Sequence, residues 1–251
     1  MIYGIMGALH REIAKVKELM DIEKEAVYAG RKYVCGTIQG KRVVLAVSKI
    51  GKVAAAQTVT TMIQIFQCEK IIVVGLAGAV DPALEIGDFV VAEALVQHDI
   101  DLSDIGDPKY EVSGLGKTYF EVADADISWC AEAAEKYIAK TYRLDIDETL
   151  AKSVQMDKPT VYQGTIASGD QFIGNREIGK QLSAEIRNLK CLEMETAAAA
   201  QVCYENKVPI LAVRIVSDKA DDQADVDFML FAEKVAGKMI KGFVACLFAD
   251  A

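Results

Sequence analysis

Pro209-Ile210-Leu211-Ala212-Val213-Arg214-Ile215-Val216-Ser217-Asp218 is an apolar run broken by one arginine and closed by a hydroxyl and an acid. Such a run, without polar alternation, suits a strand over 209–217 covered on both faces. Alternation places Ala212, Arg214, Val216 and Asp218 on one face. A guanidinium in that position must be paired, because an unpaired buried charge costs several kcal/mol. Asp218 falls at the carboxyl end, about 13 Å from Arg214 at strand rise. The two can therefore line one pocket without bonding each other.

A second run of this kind, Lys70-Ile71-Ile72-Val73-Val74-Gly75, reads as another central strand. Around these two, residues 2–6, 25–29, 32–38, 42–48, 87–97 and 161–167 read as strands. Residues 10–20, 52–67, 124–141, 175–186, 195–206 and 226–248 read as helices, the first from the spacing of Ile13, Val16, Leu19 and Met20. Early strands at hairpin spacing, followed by alternating strands and helices, predict an α/β sandwich: a mixed sheet flanked by helices. Ligands in such folds sit beyond the carboxyl ends of strands.

The 251 residues contain neither a repeat nor a Gly/Ser-rich linker, so a single domain over 1–251 is the simplest reading. The formal charge of −9 argues against nucleic acid or an anionic membrane as partner. Six cysteines form no CxxC pair, and His10 and His98 are the only histidines. This argues against a zinc site, and no metal or organic cofactor is expected. No apolar run reaches the roughly 18 residues of a membrane span, and the amino terminus lacks a secretory pattern. A cytoplasmic location with reduced thiols is expected.

Beyond the 209–218 run, three places put polarity or glycine beside apolar strands. Glu12 lies just past the first strand, in Gly7-Ala8-Leu9-His10-Arg11-Glu12, and suits either a first-turn helix acid or a site carboxylate. Gly75-Leu76-Ala77-Gly78 follows a buried strand, either as a tight turn or as backbone opened to a ligand. It lacks the GxGxxG spacing of a dinucleotide site. Gly51-Lys52 is no phosphate loop, with Ala46 and Val53 at positions that need Gly and Ser or Thr. Glu193-Met194-Glu195 sets two acids on one side of an extended stretch, either as a capping cluster or as a site.

Taken in order, these segments resemble the 5′-methylthioadenosine/S-adenosylhomocysteine nucleosidases, within the purine nucleoside phosphorylase superfamily. The resemblance rests on Gly4–Ala8 with Glu12, Ser48–Ala56, Gly75–Gly78, Ser168–Ile173, Glu193–Ala197 and Arg214–Asp218, and runs from residue 1 to about 248. It implies a three-layer, nucleoside phosphorylase-like fold with a barrel-like central sheet. It also implies hydrolysis of the N-glycosidic bond of 5′-methylthioadenosine, S-adenosylhomocysteine or 5′-deoxyadenosine in methionine salvage, releasing adenine and the ribose product, by a homodimer that takes a purine nucleoside and water. Glu12 then corresponds to the base that activates water, with Arg214 as its partner in that water site. Asp218 corresponds to the acid sharing a proton with purine N7, and Ser217 orients it. Glu195 matches the acceptor for the ribose hydroxyls and Met194 the contact under the sugar. Phe172 matches the face on which the base stacks, and Ile173 supplies backbone contacts. Ile50, Ala77, Gly78 and Glu193 complete the expected substrate-binding set.

Chemistry fits this division. A purine leaves more readily when protonated, and the cationic sugar left behind is stabilised by carboxylates in a dry site. Phosphorylases of the superfamily hold phosphate with an arginine before the glycine segment and a hydroxyl within it. Here that stretch reads Ile72-Val73-Val74-Gly75-Leu76, and an apolar lining cannot solvate a dianion. Leu76 also replaces a Ser or Thr usual in the nucleosidases. The 142–163 segment is longer than the family's usual connection. The 99–119 loop lacks the aromatics expected where a neighbouring subunit closes over the 5′ group, leaving Tyr110 or Tyr119 as candidate replacements. Alternative readings are a related enzyme such as futalosine hydrolase, a phosphate-dependent phosphorylase, or a non-catalytic nucleoside-binding protein.

Overall fold

The computed structural model describes residues 1–221 and 223–249. Its strands are β1 (Ile2–Gly7), β2 (Asp21–Tyr28), β3 (Arg31–Ile38), β4 (Lys41–Val47), β5 (Lys70–Ala79), β6 (Phe89–Gln97), β7 (Phe120–Glu121), β8 (Val161–Ser168), β9 (Leu189–Glu193) and β10 (Ile210–Asp218). Its helices are α1 (His10–Ile13), α2 (Lys52–Gln64), α3 (Asp124–Lys140), α4 (Tyr142–Asp145), α5 (Glu148–Ser153), α6 (Arg176–Glu185), α7 (Thr196–Asn206), α8 (Ala224–Phe231) and α9 (Gly237–Ala249). A π-turn, Ala232–Ala236, joins α8 to α9.

The strands form one mixed sheet that closes on part of itself. β5 pairs with β10 in parallel, β10 with β6 antiparallel, β6 with β8 and β8 with β9 in parallel, and β9 with β5 antiparallel. These five strands form a closed, barrel-like ring. β1 extends it from the other edge of β5 and continues through β4 and β3 to β2 at the outer edge. β2 is exposed over most of its length and carries Asp21, Glu23, Lys24 and Glu25, charges that discourage pairing with another chain.

Helices cover the sheet, α2 packing on α7 and α3 on α9. Phe89 of β6 meets Tyr137 of α3 and Phe243 of α9 at centroid distances of 6.1 and 5.9 Å, tying strand to both helices. Ile71, Ile72, Val73 and Val74 of β5 are all buried, as expected for a strand covered on both faces.

Two expectations change. The helix read over 10–20 is instead the short α1 followed by a 3-10 turn at Val16–Leu19; Ile13, Val16 and Met20 remain buried, so the apolar spacing is met without a continuous helix. The strand read over 70–75 runs on to Ala79. Gly75 and Gly78 are ladder residues paired with Arg214 and Asp218, so the tight-turn reading of this segment falls. The long 142–163 segment holds α4 and α5. Among the described residues no helix is long and apolar enough to cross a membrane.

Candidate active site

A cavity of about 310 Å³ opens at the carboxyl ends of the central strands. Into it come Glu12 from α1, Leu76–Gly78 from β5, Leu192–Glu195 from the β9–α7 junction and Ser217–Asp218 from β10. Ile50, Phe172 and Phe228 line it as well. The sequence-predicted Ile50, Ala77, Gly78, Phe172, Glu193, Met194, Glu195, Ser217, Asp218 and Glu12 thus meet in one place. Arg214 lies behind the lining, and Ile173 turns its side chain into a separate apolar cluster with Val96 and Leu182.

Two close approaches explain the glycines of β5. A Cβ at Gly75 would lie 2.2 Å from Arg214 Nη1 and 3.1 Å from Glu12 Oε1. One at Gly78 would lie 2.7 Å from Asp218 Oδ1. No side chain fits at either position without displacing a charged group.

Glu12 is buried in the first turn of α1. Its Oε2 accepts from Leu9 N–H at 2.7 Å and its Oε1 from Leu76 N–H at 3.2 Å. Burial raises its pKa, while Arg214 and these amides pull the other way. Glu12 is thus a first-turn helix acid whose carboxylate also lines the cavity.

Arg214 is 1 % exposed. Its Nη2 pairs with Glu193; Nε and Nη2 donate to Thr196 Oγ1 at 3.1 and 2.5 Å; Glu195 Oε2 lies 3.5 Å away. Burial opposes its charge, but Glu193, Glu195 and Glu12 together outweigh that and keep it a cation. Contrary to a simple pairing with Glu12, its hydrogen bonds go chiefly to Glu193 and Thr196, and Glu12 feels it through space.

Glu193 is correspondingly occupied. It accepts from Ser168 Oγ, Glu195 N–H, Thr196 N–H and Thr196 Oγ1 as well as Arg214. A carboxylate with its acceptor sites so filled serves as scaffold, though it borders the cavity. Glu195 is freer: Gly51 N–H donates to its Oε1 at 2.9 Å. Burial and then Glu193 raise its pKa, against Arg214.

Asp218, 1 % exposed, accepts from Ser217 Oγ at 2.7 Å and Ala220 N–H at 3.0 Å. Burial lifts its pKa to about 6 despite both bonds, with Asp227 and Asp221 adding to the rise. A carboxyl held near neutrality can deliver a proton to one end of a ligand while Glu12 receives one at another. The lining contains Glu12, Glu193, Glu195 and Asp218 but no lysine or arginine among the described residues, so the cavity disfavours anions and favours developing positive charge.

Phe228, unremarked in the sequence, meets Phe172 edge-on at 5.8 Å to form an aromatic wall. It sits in an apolar helical stretch, where nothing local distinguishes a cavity residue from a core residue. Thr196 and Ser168 were legible only as motif letters; their roles depend on Arg214 and Glu193 arriving from other strands. Of the two candidate replacements for the loop aromatics, neither lines this chain's own cavity: Tyr110 is buried and donates to Glu185. Tyr119 stacks under Arg187 at 4.2 Å and lines a different hollow.

A profile of the family described as the phosphorylase superfamily matches residues 2–247. An aminodeoxyfutalosine nucleosidase of Helicobacter pylori is 35% identical over 96% of this chain and 96% of its own. A 5′-methylthioadenosine/S-adenosylhomocysteine nucleosidase of Staphylococcus aureus is 33% identical over 93% of each. The solved structure of the corresponding nucleosidase from Neisseria meningitidis, in complex with methylthio-immucillin-A, superposes with a TM-score of 0.85 at 30% identity, covering 100% of this chain and 99% of that one.

Proposed function

The chain belongs to the phosphorylase superfamily, among its nucleosidases, and we propose that it hydrolyses the N-glycosidic bond of 5′-methylthioadenosine or S-adenosylhomocysteine, releasing adenine. The carrying observation is the convergence of two buried carboxyls with raised pKa values, Asp218 and Glu12, on one cavity that also holds Glu195.

Asp218 gives its proton to purine N7 as the bond from N9 to the sugar carbon breaks, so the base leaves neutral. The electron-poor sugar is stabilised by Glu195 and Glu12. Water adds to that carbon from the opposite face and its proton passes to Glu12. Glu195, tied to Gly51 by one oxygen, offers the rest of its acceptor capacity to the ribose hydroxyls. Phe172, half exposed at the rim, supplies a stacking face for the base, and Ser217 sets the rotamer of Asp218. Leu76 lines the cavity with an apolar side chain, so no side-chain hydroxyl at that position holds the water, and its positioning falls to Glu12.

Water is favoured over phosphate as nucleophile because the lining offers an anion no cation among the described residues. A second reading, hydrolysis of an aminodeoxyfutalosine-type nucleoside, is supported by the 35% identity to the Helicobacter pylori enzyme. It keeps every role above and changes only the group on the 5′ carbon. By analogy with the family we place the protein in the cytoplasm as a homodimer.

The test is a panel of adenine and hypoxanthine nucleosides, differing in 5′ substituent, incubated with and without phosphate or arsenate. Release of free base and free sugar at the same rate in both is expected. Acceleration by phosphate, with ribose 1-phosphate as product, overturns hydrolysis; release from no member overturns the nucleosidase reading.

A further inference from the structure

The segment 48–52 sets Ile50 against the cavity in a backbone form that its own sequence does not favour. Lys49 has φ 73° although it is not glycine, and Gly51 has φ 100°. Gly51 is the N-cap of α2 and brings no capping side chain. A lysine follows at the first helical position, the end of a helix that repels cations. Something outside the segment must hold it.

Two acids from other loops do. Asp170 Oδ1 accepts from Lys52 N–H at 2.8 Å and so caps α2 from the segment that also carries Phe172. Asp99, just after β6, takes Lys52 Nζ on Oδ1 at 2.5 Å and Asp170 N–H on Oδ2 at 2.9 Å. The side chains of Lys52 and Asp99 are 16% and 27% exposed, so the pair is partly buried. On the inner side, Gly51 N–H reaches Glu195.

We propose that Asp99 and Lys52 are positioning residues that fasten the loop gripping the sugar-facing Glu195 to the loop presenting Phe172. This rests on the nucleosidase reading above. The geometry makes Asp99 the hub: each of its oxygens binds a different loop. Without it, segment 48–52 relaxes from its strained form, Gly51 N–H leaves Glu195, and both loops must be ordered at each binding event. Glu195 keeps Arg214 Nη2 at 3.5 Å and with it its place beside the developing charge, so what is lost is the ordering of two loops at binding, and the loss falls on KM more than on kcat.

The test compares Lys52→Gln, Lys52→Arg and Asp99→Asn with the wild-type enzyme. Lys52→Gln and Asp99→Asn should raise KM for the cleaved nucleoside up to roughly tenfold, the weight of one partly buried charge-assisted bond, with kcat changed less than about threefold. Lys52→Arg should restore KM. Amide hydrogen exchange at Gly51 and Lys52 should quicken in Lys52→Gln. Unchanged KM together with unchanged exchange overturns the proposal, as does failure of Lys52→Arg to restore KM. Absence of wild-type cleavage strikes the nucleosidase reading instead; exchange at Gly51 and Lys52 then decides the fastening alone.

Discussion

Replacing Asp218 by Asn separates the proton of this site from its shape. The amide keeps an oxygen for Ala220 N–H, which donates to Oδ1 at 3.0 Å, and sets an NH2 where Oδ2 now accepts from Ser217 Oγ at 2.7 Å. Ser217 can turn its hydroxyl toward Ala77 O, 3.3 Å away, and accept from the new amide. Packing is thus conserved while the transferable proton is gone. Loss of a general acid lowers kcat by about 10²–10⁴. Stability should move the other way. The carboxyl has a pKa of about 6 when folded against its ordinary 3.8. Between those values the folded protein binds more protons than the unfolded, so stability falls as pH rises through the window. The loss comes to about 3 kcal/mol once pH exceeds 6. Asn does not titrate and escapes that loss. Wild type and Asp218→Asn should therefore melt together near pH 3.5, and the variant should melt roughly 6–12 °C higher at pH 8. The assay is thermal unfolding across pH, beside steady-state base release. A variant retaining more than about a tenth of wild-type kcat refutes the acid role, and a melting difference that does not vary with pH refutes the perturbed carboxyl.

Arg214→Met leaves Glu193 buried beside Thr196 without its cation; a loss of about 3–5 kcal/mol is expected in denaturant unfolding, partly recovered by adding Glu193→Gln. Phe172→Ala removes the stacking face and should raise KM about tenfold or more, by the roughly 1–3 kcal/mol of base–aromatic stacking, with thermal stability little altered because the ring is half exposed. A fall in kcat at unchanged KM would move Phe172 out of the base subsite.

The strands of the core were legible in the sequence because they obey short-range rules, whereas cavity residues such as Ile50, Phe172 and Met194 were placed only by the family resemblance. Continuous apolar runs announced β5 and β10, and period-two alternation put Arg214 and Asp218 on one face. What stayed hidden depends on partners distant in the chain. The extension of β5 through Gly75–Gly78 exists because β10 continues the ladder there, and glycines alone read as a turn. Closure of the ring needs five strands drawn from residues 70 to 218. The true partner of Arg214 was undecidable without knowing that β9 delivers Glu193 beside it, and Phe228 shares its helical stretch with residues bound for the core.

The π-turn Ala232–Ala236 between α8 and α9 carries a consequence for how the carboxyl-terminal segment can evolve. One surplus residue there advances the helix by about 100° relative to an uninterrupted α-helix. That phase offset lets Phe228 address the cavity while Phe243 and Leu247 address the interior. Regular α winding at unchanged length would swing the aromatic wall away from Phe172, whereas losing one residue together with the bulge would leave both faces in phase. The segment therefore tolerates loss of that residue but not loss of the bulge alone.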